Sequence, residues 1–272
     1  MKTKKSLGQH FLNSPKIIAD IVSVGKVKRG DIVIEIGPGE GVLTSELLKT
    51  GAHIVTVEKD DRLIPVLREK FAKEISSNQL FLIHDDILNL GLSKGIFDTN
   101  LLTLSVSKYK VVANIPYYIT GQLIRMFLDS DKQPESMTLL VQKEVAERIV
   151  AKNGKESLLS LSVKIFGEPK LVRTVGRGAF SPQPNVDSAV LSIENISRNN
   201  FSVSGVEESM FFKVIHACFA HKRKQLLPNL STIYNKEVLA GVFKKIGLDQ
   251  KCRAEDLPLE TWIKLCSVLQ NN

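Results

Sequence analysis

Asp31-Ile32-Val33-Ile34-Glu35-Ile36-Gly37-Pro38-Gly39-Glu40-Gly41 decides the fold of this chain. Residues Asp31 to Ile36 read as a strand, and the run ends in glycines. Glycine there lets the backbone approach a ligand closely, and the helix predicted over Val42 to Lys49 presents free N–H groups to it. The spacing departs from the dinucleotide pattern G-x-G-x-x-G, because Val42 stands where the third glycine should be. By itself such a turn is weak evidence, so its neighbours must settle its meaning.

Working outward, His53 to Glu58 alternates and is β-branched, a second strand. Leu80 to His84 is a third, Val111 to Ala113 a fourth and Met137 to Gln142 a fifth. Helical patterns lie between and after them: Arg62 to Lys73, Gly121 to Leu128, Glu144 to Lys152 and Leu158 to Phe166. Upstream, Ser14-Pro15 starts a helix that carries Ile17, Ile18, Ile21 and Val22 on one face as far as Gly25. Strand alternating with helix predicts an α/β fold, a parallel sheet with helices on both faces. Lys170 to Val175 and Asp187 to Glu194 supply closing strands.

Composition then shifts. Asn195 to Gly205 is polar and turn-rich and reads as a linker. Beyond it Phe211, Val214, Ile215, Cys218 and Phe219 form one helical face, and Val238, Val242 and Ile246 another, which ends at Gly247. The expected division is residues 1–196 as the α/β domain and 197–272 as a small all-α domain.

The 272 residues, 43% hydrophobic and 24% charged, belong to a soluble globular class with room for one large and one small domain. No apolar run approaches a membrane span, and the basic start, Met1 to His10, lacks a signal-peptide apolar core. A cytoplasmic protein is therefore expected, with a monomer as the default state. Cys218, Cys252 and Cys266 have no metal-ligand spacing and read as reduced thiols. The net charge of +8 favours polyanionic partners, with Lys2, Lys4, Lys5 and Lys222-Arg223-Lys224 concentrated rather than scattered.

Polar residues gather at the predicted strand ends. Glu58, ending the second strand, can accept both hydroxyls of a ribose, a role that fits NAD as well as S-adenosylmethionine. Asp85 and Asp86 end the third, where a carboxylate can accept from an adenine amine. Asn114-Ile115-Pro116-Tyr117 follows the fourth. Its amide and freed carbonyls can accept from an exocyclic NH2, and its Tyr can stack on a flat ring.

With Gly8-Gln9-His10-Phe11-Leu12, Gln142-Lys143-Glu144-Val145 and the stretch Phe180 to Val190, these motifs occur in the order seen in one family. The chain resembles the ribosomal RNA small-subunit adenine dimethyltransferases, also called the KsgA or RsmA family, over nearly its whole length. The resemblance implies a Rossmann-like class I S-adenosylmethionine methyltransferase domain followed by a helical RNA-binding domain. It implies dimethylation of N6 on two adjacent adenosines in a hairpin near the 3′ end of small-subunit (16S) rRNA, within an assembling 30S subunit. S-adenosyl-L-methionine would be held by His10, Leu12, Gly37, Gly39, Glu58, Asp86 and Asn114. Asn114 and Ile115 would polarise the target amine, Tyr117 and Phe180 would stack on its ring, and Lys222, Arg223 and Lys224 would hold RNA. No histidine is expected to act as a catalytic base, neither His10 nor His84 nor His216.

Three positions depart from the family pattern: His10 for the usual Asn, Ile115 for Leu, and Tyr118 for a second Asn. Two other readings stand beside this one. One is a large-subunit rRNA adenine methyltransferase of the macrolide-resistance type, against which the Phe180 to Val190 stretch and the helical C-terminal segment weigh. The other is an RNA-binding assembly factor without catalysis, against which the intact Asn114 to Tyr117 motif weighs.

Overall fold

The computed structural model describes residues 10–90, 108–221 and 224–271. The first elements are a short strand β1 (Phe11–Leu12) and helix α1 (Pro15–Val24). Then come β2 (Ile32–Ile36), α2 (Val42–Lys49), β3 (His53–Glu58), α3 (Leu63–Lys70), α4 (Ala72–Ser76), β4 (Leu80–His84) and α5 (Ile87–Leu90). From residue 108 the order is β5 (Lys110–Asn114), α6 (Thr120–Leu128), β6 (Ser136–Gln142), α7 (Lys143–Ile149), α8 (Leu158–Lys164), β7 (Glu168–Val175), β8 (Phe180–Ser181) and β9 (Ser188–Glu194). Helices α9 (Asn199–Ser204), α10 (Glu208–Phe219), α11 (Leu226–Leu230), α12 (Lys236–Ile246) and α13 (Leu259–Gln270) complete the described chain.

The described residues form a seven-stranded sheet in the order β4-β3-β2-β5-β6-β9-β7. Strands β4 through β6 pair in parallel, while β9 runs antiparallel to both β6 and β7. Ile34 on β2 pairs with Val55 of β3 on one side and Val111 of β5 on the other. The chain thus leaves β2 toward β3 and β4, then returns across it to lay down β5. That reversal is a topological switch point, where ligands bind at the carboxyl ends of the strands. β2, β3 and β5 are apolar on both faces, as a sheet covered on both sides requires, and Val33, Ile34, Ile54, Val55, Val111 and Val112 are fully buried.

The strands expected from sequence are all present, but other expectations need correction. The helix predicted over Arg62 to Lys73 breaks at Phe71, whose φ of −112° and ψ of 27° leave the helical region. Its ring turns into the core, against Gly41. The expected linker, Asn195 to Gly205, contains α9, and its buried Phe201 meets Phe166 and Phe211 edge-on.

The chain divides into two compact units: the described residues up to Ala146 with Glu168–Ile196, and Glu147–Gly167 with the residues from Ser197 onward. The second unit therefore includes a stretch that the sequence reading assigned to the α/β domain. Its partners explain the assignment. The Phe166 ring stacks on Phe212, the Ile165 carbonyl accepts from Asn200 Nδ2, and Lys155 pairs with Asp256. Within this unit α10 buries Phe211, Val214, Ile215 and Cys218, and α13 buries Trp262, Leu265, Cys266 and Leu269. The α12 face is centred on Leu239, Val242 and Phe243. Among the described residues no helix is long and apolar enough to cross a membrane.

Gly41 shows how closely the first unit is packed. It caps α2 at a φ of +73°, and a Cβ there would stand 2.5 Å from Phe71 Cε2. Gly41→Ala should therefore lower stability by about 1–3 kcal/mol in a urea titration, through backbone strain and displacement of the Phe71 ring.

Candidate active site

The carboxyl ends of β2, β3, β4 and β5 open onto one cleft of about 1110 Å³, its open mouth included. Its floor is the loop after β2. Gly37 and Gly39 both take positive φ, +66° and +58°. At Gly39 a Cβ would stand 2.9 Å from Phe11 Cε1, so the loop can lie against β1 only because the side chain is missing. The Cβ that Gly37 lacks would stand 4.0 Å from Pro116 Cδ, which brings the loops after β2 and β5 together.

Carboxylates line one side. Glu58 is buried at the end of β3, where its Oε2 accepts from the Gly39 N–H at 3.2 Å and its Oε1 from the Asp60 N–H at 2.7 Å. Burial pushes its carboxyl above the ordinary range, against the pull of those two donors. These bonds hold both oxygens in place and leave each with a lone pair for a ligand hydroxyl. Asp86 is different. Burial works to raise it, but Lys59 Nζ at 2.7 Å and the Leu88 N–H at 3.1 Å prevail, and its carboxyl lies below the ordinary value. It stays ionised and keeps acceptor capacity for an amine. Ile36, Val57 and Ile87 give this part of the cleft apolar walls.

The opposite side carries the Asn114 motif. Asn114 ends β5, and its Nδ2 donates to the His10 carbonyl at 3.4 Å, which leaves Oδ1 as the acceptor. Ile115 is buried, and Pro116 leads into a short 3₁₀ turn at Tyr117–Ile119. Tyr117 Oη shares a 2.7 Å hydrogen bond with Ser188 Oγ on β9, and burial pushes the phenol up. Its ring stacks with His10, centroids 5.9 Å apart and planes 24° from parallel. Tyr118 lines the mouth and is 62% exposed.

The fold thus brings together His10, Leu12, Gly37, Gly39, Glu58, Asp86, Asn114, Ile115 and Tyr117 around one cleft. Phe180 is not with them. It is 5% exposed, part of the hydrophobic core on β8, and its backbone pairs with Leu12 of β1. Lys222 and Arg223 lie outside the described residues, and Lys224 is exposed in the second unit.

Two residues carry more than sequence reasoning assigned them. Glu35, 1% exposed, lines the cleft and accepts from Thr44 Oγ1 at 2.7 Å. Burial, with the nearby Glu58 charge adding to it, pushes its carboxyl up to about 8 despite the Thr44 hydrogen bond. Its signal was present: a carboxylate between Ile34 and Ile36 in a buried strand needs a reason. Ser188 had no such signal, because its link to Tyr117 spans 71 positions.

The family described as ribosomal RNA adenine dimethylase matches residues 1–271. The ribosomal RNA small subunit methyltransferase A of Dehalococcoides mccartyi strain BAV1 is 44% identical over 268 residues, 98% of this chain and 88% of that one. The protein of the same name from Fusobacterium nucleatum is 36% identical over 272 residues, covering 99% and 98%. Among solved structures, a dimethyladenosine transferase from Plasmodium falciparum superposes with a TM-score of 0.77 at 26% identity, covering 94% of this chain and 96% of its own. The 23S rRNA methyltransferase ErmE, at 24% identity, shares the fold with a TM-score of 0.74, covering 96% and 99%.

Glu35 makes stability depend on pH in a definite direction. Between its ordinary value of 4.5 and about 8 the folded chain holds a proton that the unfolded chain has lost. The stability it contributes is full below 4.5 and falls as pH rises through that window, by up to about 1.4 kcal/mol per pH unit. Glu35→Gln should flatten this decline, checked by urea titrations of both proteins from pH 5 to pH 8.

Proposed function

The chain belongs to the ribosomal RNA adenine dimethylase family, and from that membership and the geometry of its cleft we infer that it dimethylates N6 of two adjacent adenosines near the 3′ end of small-subunit rRNA. It is an rRNA adenine dimethyltransferase with S-adenosyl-L-methionine as methyl donor. The observation that carries the finer reading is the position of Asn114. It stands at the end of β5 with its Oδ1 left as acceptor, in the same cleft as Glu58 and Asp86.

The residues present fit the cofactor. Glu58 would hold the ribose hydroxyls and ionised Asp86 the adenine amine, while Ile36, Val57 and Ile87 would flank the adenine ring. The Gly37 to Gly39 loop and Leu12 would border the methionine portion. When bound, the cofactor supplies an electrophilic sulfonium methyl.

The chain's own task is to present the amine. Adenine N6 is a poor nucleophile, because its lone pair is delocalised into the ring. Asn114 Oδ1 and the Ile115 carbonyl would each accept an N6 hydrogen, which favours a pyramidal nitrogen with a localised lone pair. Tyr117, held at its hydroxyl by Ser188, would stack on the flipped-out base and offset the loss of its neighbours in the RNA. No strong base is needed, since the N6 proton becomes acidic only as the new N–C bond forms. Catalysis is then mostly positioning. Phe180 lies in the core on β8, with its backbone paired to Leu12 of β1.

The RNA would be held by the helical unit, which carries most of the excess positive charge and includes Lys222, Arg223 and Lys224. We take the substrate to be an assembling 30S subunit in the cytoplasm, and the enzyme to be a monomer.

Asn114→Ala should reduce methyl transfer by at least about a hundredfold while cofactor binding survives in part; full activity would sink this mechanism. Neutralising Lys222, Arg223 and Lys224 together should weaken RNA binding and make the slope of log K against log salt shallower by roughly two to three. Mass spectrometry of rRNA after incubation with labelled S-adenosylmethionine tests the reading as a whole. Dimethyladenosine at paired small-subunit sites is expected, and label in large-subunit rRNA alone would overturn it.

A further inference from the structure

We propose that Lys143 and Arg177 form an RNA-phosphate site on the first unit, beside the acceptor side of the cleft, and hold the backbone of the strand that carries the target adenosine. The proposal rests on the reading of Asn114 and Tyr117 as the amine-acceptor site of an RNA methyltransferase.

Asp187 brings the two cations to one place. Its backbone carbonyl accepts from the Lys143 N–H at 3.0 Å, and its Oδ1 accepts from the Arg177 N–H at 3.1 Å. Lys143 opens α7 at the end of β6, and Arg177 lies in the turn between β7 and β8. Both belong to the first unit. The residue after Asp187 is Ser188, which pairs with Gln142 across the ladder and shares a 2.7 Å hydrogen bond with Tyr117 Oη. The two cations therefore flank the strand ends that anchor the acceptor ring.

Neither charge is spent within the protein. Among the described residues, Lys143 and Arg177 make no ion pair. Elsewhere in this unit Lys26, Lys59, Arg62, Lys110, Lys170 and Arg173 are each matched to a carboxylate. The carboxylate between the two cations is that of Asp187, and a backbone N–H engages it. Glu144 follows Lys143 but leaves α7 about 100° around the helix from it. The turn is also open. Gly176, Arg177 and Gly178 are exposed, and a Cβ at either glycine would meet nothing within 4 Å.

The chemistry selects a phosphodiester strand. Arg offers a phosphate a planar fork and Lys a point charge. A base turned out into the cleft carries its own backbone past the rim, where these two cations stand. Phosphate contacts fix register without reading sequence, so this pair would place the strand while Asn114 and Tyr117 meet the base.

Fluorescence anisotropy of a labelled hairpin with the small-subunit 3′-end sequence, bound to the full-length enzyme over a range of salt, tests the site. Lys143→Gln and Arg177→Gln should each make the slope of log K against log salt shallower by roughly 0.7–0.9, and the double variant by about the sum. A hairpin with a scrambled loop should show the same change. In methylation of unmodified small subunits the double variant should raise KM for the RNA about tenfold, with the loss falling on KM rather than kcat. Calorimetric affinity for S-adenosylhomocysteine should stay within about twofold of wild type, which also shows that the variants fold. Lys143→Arg and Arg177→Lys, which keep the charge, should retain the wild-type slope.

An unchanged slope in the double variant would make both cations a solvated rim and overturn the proposal. A fall in S-adenosylhomocysteine affinity that the charge-keeping variants do not rescue would make them supports of the Asp187 turn and overturn it equally. Absence of paired dimethyladenosine from wild-type reactions would instead remove the underlying functional reading, and the salt slopes would still show whether the pair holds phosphate.

Discussion

Parallel pairing of β2 with β3 on one side and β5 on the other is the constraint on which the rest of the structure depends. Because β3 and β4 extend the sheet on one side of β2 and β5 lies on the other, the strand order reverses at β2, and a ligand crevice opens at the carboxyl edge there. Continued by one residue, the same register sets Gly37, Glu58 and Asn114 at one height on the sheet, with Asp86 two residues past His84, the partner of Glu58. A slip by one residue would send Glu35 and Glu58 to the opposite face and dismantle the cleft without altering its composition.

That crevice gathers carboxylates in a region of low dielectric, which is costly unless each has a partner. Glu35 has the Thr44 hydroxyl and Glu58 two backbone N–H groups. Asp86, by contrast, is held below its ordinary value, because Lys59 stands beside it. The result is a graded edge: carboxyls pushed up where burial dominates, and one held down where a cation stands beside it. Such an edge suits a cofactor that carries a sulfonium, an ammonium, ribose hydroxyls and an adenine amine.

The other side of the cleft depends on a contact between distant parts of the chain. Strand β1 pairs with β8, which brings His10, Phe11 and Leu12 against the loop after β2 and the turn after β5. Phe11 occupies the space beside Gly39, Leu12 enters the core, and His10 reaches Tyr117 and Asn114. Three consecutive residues thus serve loop packing, core and site in turn, as the alternation of a short strand allows.

Much of this was legible in the residues themselves. The apolar runs ending at Ile36, Glu58, His84 and Ala113, with helical patterns between, determined a parallel sheet, and polar residues after each run marked its ligand-binding edge. Period and punctuation are local properties, so sequence expresses them directly. What only the tertiary structure decided is where the long-range partners fall. Phe180 carries an aromatic motif yet lies in the core, the His10 ring pairs with Tyr117, Ser188 anchors Tyr117, and 147–167 joins the helical unit. Each of these depends on which surface is left to cover once the sheet has formed, and burial and hydrogen-bond partners are chosen by proximity in space rather than along the chain.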